Sequence, residues 1–450
     1  CGPPMMSVSV AAQCVADGLY RLGYDARSIR ESEENPDKKV GSNDVCVTWS
    51  LDRILRLPTK RRVCFGPCDG WELLPKYVEL RNQNAVMTLG LGRHSCSVLQ
   101  DAGSERVVVQ PLAANPNVYF PKPARMPQRL FEKCEWFGAE VPFAKRFVFI
   151  HQSSIQPRKG TRDMIRAYLE EFGSDDGVVL LVKAQHKAWG EDGRPMVREE
   201  VKRLGGKHAP ICYSWAQLPL EEQADFYRSG SAYVTTARIE GWGLPPQEAM
   251  ACGTLVVATD ASGHRDFLTN ENCILIPTHD ERMADVKDEA RHSAMHEALL
   301  DKLTWHRPAL KDVRSAMRRA YAQGGATPEQ REEMAKTTRW FSNELAGAVF
   351  ANAAQTVGLN LSLCDIDTSG ATDKHVALAI PTLDYSKQLL AMLESLRITR
   401  GVRFTVLIRD DGSTDGTEAA VKARELPFEV VYSKAPERQG LPEAREELVK

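Results

Sequence analysis

Apolar residues recur along this chain in two rhythms, and the rhythms set the elements to expect. Val8, Ala11, Ala12, Val15, Leu19 and Leu22 repeat at helical spacing, with Ser7 placed as an N-cap and Gly23 as a C-cap. Short apolar runs follow at 45–49, 63–65, 86–89 and 107–109, separated by polar stretches. Runs of that length bounded by turn residues read as buried strands. The first helix therefore looks like the second half of a βα unit whose first strand is missing. The alternation continues with strands over 147–150, 178–182, 211–213, 232–235, 255–258 and 274–276. Between them lie a helix with Ile165, Leu169 and Phe172 on one face, flanked by Met164 and Tyr168, and helices over 198–204 and 221–228. Such regular alternation predicts doubly wound parallel sheets, which bind ligands beyond the carboxyl ends of their strands.

From 283 to 359 the pattern reads as helical and strongly charged. Trp305, Leu310, Val313 and Met317 suggest one amphipathic face; Trp340, Phe341, Leu345, Val349 and Phe350 suggest another. Residues 360–374 are polar and rich in Gly, Ser and Thr, which reads as a linker. A strand ending at Ile380, a helix, a strand ending near Ile408 and an acidic turn opening a helix then restart the α/β pattern. The expected organisation is thus 1–125, 126–359, the linker 360–374, and a further unit over 375–450.

Composition narrows the class. A length of 450 residues implies two to four domains. The net charge of −2 gives no reason to expect a nucleic-acid partner. Eleven cysteines are scattered without paired metal spacing, and only Cys64 and Cys68 lie close together, so reduced thiols are expected rather than a zinc site. No apolar run approaches the ~18 residues of a membrane span and no signal peptide is evident, so a cytoplasmic protein is the expectation. The chain opens without Met on CGPPMM, a loop-like stretch, and its end falls inside the third unit; both ends are expected to be cut.

The chemistry concentrates in TTARIEGWGLPPQEAMACG, residues 235–253. Glycines bracket a turn holding Glu240; Pro245 and Pro246 suit a first helical turn and Gly253 a helix end. A helix N-terminus behind such a turn is a seat for phosphate, with carboxylates Glu240 and Glu248 placed to accept hydrogen bonds from sugar hydroxyls on either side. Upstream, Arg158 and Lys159 precede Gly160 at the start of a helix, a second arrangement favourable to a diphosphate. Lys183 ends a strand, where it either faces the cleft or lies on the surface.

EGWGLPPQEAMACG resembles the Glu-x7-Glu signature of glycosyltransferase family 4, retaining enzymes of GT-B fold. The resemblance implies two Rossmann-like doubly wound domains facing a cleft, the first on the acceptor side and the second binding the nucleotide sugar. It implies Glu240 against the donor sugar, Glu248 on the ribose, and the backbone of Gly241, Trp242, Gly243 and Leu244 against sugar and diphosphate. The Arg-Lys-Gly stretch resembles the family's phosphate-binding element, which assigns Lys159, aided by Arg158. ASGHRDFL resembles its loop with Gly263. The segment 331–357 fits the family's helix returning to the first domain. The sequence departs from the family at Ser153, where an Arg is usual, and at Leu255, where a Pro is. Where an N-domain His is common it reads Gly66-Pro67-Cys68-Asp69. Asp69, equally a turn aspartate, and His94 are the candidates to replace that His.

The third unit carries IPTLD, DDGSTDGT and GLPEARE, which resemble the start of glycosyltransferase family 2, of GT-A fold. That implies a nucleotide cradle of Pro381, Thr382, Asp411 and Arg445, although Glu446 replaces a usual Asn. Mg²⁺ or Mn²⁺ is expected only for a complete GT-A unit, since the acidic pair that holds it is not in this sequence; the unit is expected to be inactive alone. The combined expectation is a retaining, metal-independent glycosyltransferase of surface polysaccharide or glycoconjugate assembly. Its partners would be a nucleotide diphosphate sugar and a glycan or glycolipid acceptor, through which it would touch the membrane peripherally. Two other readings stay open: a pyridoxal-phosphate phosphorylase of GT-B fold, for which no cofactor lysine is identified, and a non-catalytic nucleotide-sugar-binding or scaffold protein.

Overall fold

The computed structural model describes residues 7–22, 44–48, 59–66, 73–185, 192–282, 304–359, 375–382, 403–424 and 428–436, with isolated positions 24, 26, 55, 361, 386, 389, 390, 392, 393 and 426. It divides into two compact units, 1–18 with 28–360 and 19–27 with 361–450.

Among the described residues the first unit contains two parallel or mostly parallel sheets and a two-stranded antiparallel pair. In chain order the first part runs α1 (Ser7–Arg21, of which 7–18 belong to this unit), β1 (Cys46–Thr48), β2 (Arg62–Gly66), α2 (Pro75–Asn84), β3 (Met87–Gly90), α3 (Gly92–Asp101) and β4 (Val107–Val109). The four strands pair in parallel in the order β1-β2-β3-β4. All four fall where the apolar runs predict. Val63, Cys64, Phe65, Met87 and Leu89 are all buried, as in a parallel sheet covered on both faces.

The second part runs α4 (Arg129–Glu132), β5 (Cys134–Phe137), β6 (Phe147–Ser154), α5 (Thr161–Glu171), β7 (Val178–Gln185), α6 (Arg194–Leu204), β8 (Ile211–Ser214), α7 (Leu220–Arg228), β9 (Ala232–Thr235), α8 (Leu244–Ala251), β10 (Leu255–Thr259) and β11 (Ile274–Ile276). Its order is β11-β10-β9-β6-β7-β8-β5, parallel except for β5 against β8. The winding reverses between β6 and β9, so the crevice beyond their carboxyl ends is the topological switch point. Alternation along the strands sorts the core. Phe149, Leu180, Val182, Val234 and Val257 share one cluster with Met164, Ile165 and Leu169 of α5. Their neighbours Ile150, Leu181, Tyr233 and Val256 are buried too and point to the opposite face.

Three features depart from the expected pattern. Strand β5 was not anticipated. Where a helix was expected through Trp305, strands β12 (Thr278–Arg282) and β13 (Thr304–Pro308) form an antiparallel pair. Trp305 joins a cluster with Leu73, Leu99 and Ile239 instead. Pro308 explains the error: it lacks an N–H and disfavours helix at the preceding residue, so α9 (Leu310–Ala322) starts only afterwards. The segment from Trp340 to Phe350 is also not one helical face. It divides into α10 (Pro328–Trp340) and α11 (Asn343–Thr356), the latter capped by Ser342 Oγ accepting from the Leu345 N–H at 3.2 Å. Trp340 is 69% exposed as a result. Helix α11 meets the first part through Gln110 Nε2, which donates to Ala346 O at 3.0 Å.

The second unit contributes β14 (His375–Thr382), β15 (Arg403–Asp410), α12 (Thr417–Lys422) and β16 (Glu429–Lys434), paired in parallel as β14-β15-β16. Nearly all of the expected linker lies outside the described residues. Among the described residues no helix is long and apolar enough to cross a membrane.

Candidate active site

The switch-point crevice gathers the charged residues that the sequence singles out. A 3-10 turn (Pro157–Lys159) follows β6 and delivers Arg158 and Lys159; the segment after β9 delivers Glu240. Lys159 Nζ donates to Glu240 Oε1, and Arg158 Nη1 lies 3.4 Å from Glu240 Oε2. Burial alone would push the Glu240 carboxyl up, but the Lys159 and Arg158 charges outweigh it and hold the group down at about 2. Glu240 is therefore an anion held by two cations.

The turn that presents Glu240 is strapped from several sides. The Arg238 N–H donates to Arg158 O at 2.7 Å, and the Glu240 N–H donates to Ser262 Oγ at 2.9 Å. The Gly263 N–H donates to Glu240 O at 3.0 Å, so Gly263 acts by holding the turn. A Cβ on Gly263 would come within 2.6 Å of Gly241 C and Trp242 Cα. Gly243 has φ +103°, and a Cβ there would stand 2.7 Å from His264 Cδ2. Ser95 of α3 reaches across to donate to Gly241 O at 3.2 Å.

Helix α8 opens at Leu244 with Gly243 as its N-cap and Pro245 and Pro246 in the first turn, as expected. Because both prolines lack an N–H, only Gly243 and Leu244 supply backbone donors there, fewer than an ordinary helix end offers. The Trp242 indole is turned away from this seat. It is 3% exposed, stacks on Phe267 at 5.3 Å, and donates from Nε1 to Gln247 Oε1 at 3.0 Å. Its backbone is what Trp242 offers to the cleft.

Glu248 lies in α8 in a different setting. Tyr227 Oη donates to its Oε2 at 2.8 Å, and Tyr119 hydrogen-bonds it from the Pro/Asn-rich segment of the first part. Burial pushes its carboxyl up to about 7, against those two hydrogen bonds and the charge of Lys183. Lys183 is 2% exposed, so it is not a surface lysine; burial pushes its ammonium down to about 8, opposed by Glu248.

Other residues fall differently. His94, at the start of α3, sets its ring edge-on to His306 at 5.8 Å. Asp69 and Arg445 lie outside the described residues. In the second unit the Asp411 N–H donates to Thr382 O at 2.9 Å, which brings those two together at the strand ends beside Pro381. No group of three or more His, Cys, Asp or Glu suited to a metal occurs among the described residues. Sequence reasoning missed Tyr119, Tyr227, Ser95 and His264. His264 Nδ1 faces Thr259 O at 3.1 Å, its Nε2 is buried without a partner, and burial lowers its pKa. Two concavities lie outside this constellation, the first at the amino ends of β9 and β10, where Gly230, Ser231, Gly253 and Thr254 line it. The first, of about 570 Å³, is also lined by Lys122, Arg228 and Arg331, and the second, of about 330 Å³, by Trp242, Trp340 and Phe341.

Comparison with known proteins bears on this geometry. Residues 133–293 match the family described as glycosyl transferases group 1, and residues 377–450 match glycosyl transferase family 2. A D-inositol 3-phosphate glycosyltransferase of Rhodococcus erythropolis is 34% identical over 110 residues, covering 24% of this chain and 25% of that protein. Another of the same name from Xylanimonas cellulosilytica is 30% identical over 181 residues, covering 38% and 40%. The chain thus spans about a quarter to two fifths of the length of the curated relatives it matches. An α,α-trehalose-phosphate synthase (UDP-forming) structure from Burkholderia xenovorans, in complex with glucose-6-phosphate, aligns with a TM-score of 0.50 at 12% identity. It covers 71% of this chain and 74% of that one, and the likeness is one of fold. The first unit has the GT-B fold.

Proposed function

We propose that the first unit is a glycosyltransferase that moves a sugar from a nucleotide diphosphate sugar to an acceptor hydroxyl, with retention and without a metal. One observation carries the reading: Lys159 and Arg158 converge on Glu240 at the switch point, with Glu248 eight residues further along the chain. The group 1 match spans all four of these residues. In this reading the diphosphate lies against Lys159, Arg158 and the N–H groups of Gly243 and Leu244. These groups stabilise the charge that develops as the anomeric carbon–oxygen bond breaks. The acceptor oxygen bonds to that carbon on the face the diphosphate leaves, and its proton passes to the departing phosphate oxygen. Glu240 holds the sugar; Glu248 accepts from the ribose.

The names of the matching relatives favour a hydroxyl-rich acceptor, and assembly of surface polysaccharide or glycoconjugate is the role that fits. In the second unit Pro381, Thr382, Asp411 and Arg445 are proposed as part of a second nucleotide cradle. The test is calorimetry with UDP-, GDP-, ADP- and dTDP-sugars on the wild type, Lys159→Gln and Glu248→Ala. One donor class should bind, with affinity reduced roughly 10- to 100-fold in Lys159→Gln, the effect of one charge-assisted hydrogen bond. Wild-type protein that binds none of the panel sinks the reading.

A further inference from the structure

Among the described residues Lys183 is a buried cation without a partner of its own. It sits near the carboxyl end of β7, in register with Gln152 of β6 and Ser214 of β8. By alternation its side chain leaves the sheet on the face opposite Leu180 and Val182, the face that carries Tyr233 and Val256. Both polar neighbours on the sheet are engaged elsewhere. The Gln152 amide oxygen accepts from Gln223, and Ser214 Oγ donates to Leu130 O at 2.7 Å. Lys183 forms no hydrogen bond and no ion pair with any described residue, yet it feels the charge of Glu248. A buried ammonium with three donors and no acceptor is costly to keep unless a ligand supplies what is missing.

Glu248 shows the complementary deficit. A carboxylate offers about four acceptor positions, and Tyr119 and Tyr227 occupy two of them. Glu248 lies over the sheet face that Lys183 leaves, because Tyr227, which donates to it, packs edge-on against Tyr233 of that face at 5.9 Å. A donor-only group and a half-filled acceptor thus share one face of the sheet, without a hydrogen bond between them. A vicinal diol satisfies both, because each hydroxyl gives a proton and accepts one.

We infer that Lys183 and Glu248 clamp the ribose diol of the nucleotide together, Lys183 donating to the hydroxyl oxygens whose protons Glu248 accepts. This rests on the donor-site reading above and adds a positioning residue to it. The site then selects ribonucleotides over deoxyribonucleotides, whatever the base.

The experiment is calorimetry with UDP, GDP and ADP, then with the 2′-deoxy and 3′-deoxy forms of whichever binds, on the wild type and Lys183→Met. Methionine keeps the length and apolar body of the side chain and removes the unpartnered charge, so the variant should unfold at the same or a higher temperature. The ribonucleotide should bind roughly 10- to 100-fold more weakly to the variant. The wild type should also disfavour at least one deoxynucleotide, and that penalty should shrink toward unity in the variant. A merely structural lysine would not move the last readout. If Lys183→Met binds like the wild type, or keeps the full deoxy penalty, while Lys159→Gln loses affinity, the clamp is overturned and the donor site stands. If the wild type binds none of the three nucleotides, the clamp falls; if it binds no dTDP either, the donor-site reading falls with it.

Discussion

Two carboxylate–lysine pairs share this crevice and could hardly be more differently arranged. Glu240 and Lys159 touch, and the carboxyl is held at about 2. Glu248 and Lys183 do not touch, and the carboxyl is pushed up to about 7 while the ammonium is pushed down to about 8. The first pair neutralises itself when no ligand is bound, so an arriving diphosphate must compete with Glu240 for the two cations. The second pair remains mutually unsatisfied, so an arriving ribose completes it. Contact makes one pair a gate to ligand and separation makes the other a socket, although both are built from the same two residue types.

The sharpest way to break this contrast is Glu240→Gln. Gln keeps the shape and removes the internal anion that occupies Lys159 and Arg158. Turnover should fall by roughly 100- to 1,000-fold, the range for losing a charged group that acts at the reacting centre. Affinity for the free nucleoside diphosphate should rise, because the phosphates no longer displace a carboxylate. Steady-state kinetics and calorimetry on the same protein check both halves. A Gln variant that binds the diphosphate more weakly would show that Glu240 touches the nucleotide itself, and the competition argument would be lost.

Both residues of the first pair were legible in the sequence and only Glu248 of the second, Lys183 being left between the cleft and the surface, for a physical reason. Lys159 and Glu240 sit beside glycines in turns just after apolar strands, and turn chemistry is written locally. The helix behind Glu240 was equally readable, since Pro245, Pro246 and Gly253 mark its ends. Lys183 carries no such mark. A lysine at the end of an apolar strand looks the same whether its face meets water or other side chains. Only the placement of α8 and of Glu248 decides that. Tyr119 reaches Glu248 from the first part of the chain, and no local pattern signals so distant a contact. Trp305 shows the opposite failure, where a local pattern suggested a helix and one proline imposed a strand. Trp242 lies in a legible motif, yet its side chain packs on Phe267 and Phe341, which the motif does not disclose.

A smaller effect is expected from Gly263→Ala, which tests whether the Glu240 side depends on its turn as the Glu248 side does not. The added Cβ would meet backbone atoms of Gly241 and Trp242 at 2.6 Å, and backbone cannot rotate away as a side chain can. Relieving that overlap should cost about 2 kcal/mol, seen as a fall of several degrees in melting temperature. The turn that carries Glu240 should shift with it, so turnover should drop while the deoxynucleotide penalty set at Glu248 stays. An Ala variant as stable and as active as the wild type would mean that the turn is more yielding than its straps imply.

The gentlest probe is pH, and its direction separates the two pairs. Glu240 stays ionised down to about 2 and contributes nothing to a titration near neutrality. Glu248 faces Tyr227 from α7, Tyr119 from the first part, Tyr233 from β9 and Lys183 from β7, and its carboxyl lies at about 7. Below that value it carries a proton in the free protein, and a protonated carboxyl accepts poorly from two hydroxyls. Ribonucleotide binding must then release the proton, so affinity should rise roughly fivefold to tenfold between pH 6 and 7.5. Above about 8 Lys183 discharges, loses a donor, and affinity should decline again. The free protein should respond in the opposite sense. A carboxyl raised from its ordinary value costs stability as pH climbs from about 4.5 to 7, and a lowered lysine returns stability as pH climbs past 8. The affinity maximum should therefore coincide with a shallow minimum in the melting temperature of the unliganded protein. Glu248→Gln should abolish the acid limb and Lys183→Met the alkaline limb. An affinity profile that is flat from pH 6 to 9 in the wild type would mean that the two groups do not meet the ligand, and the socket would have no occupant.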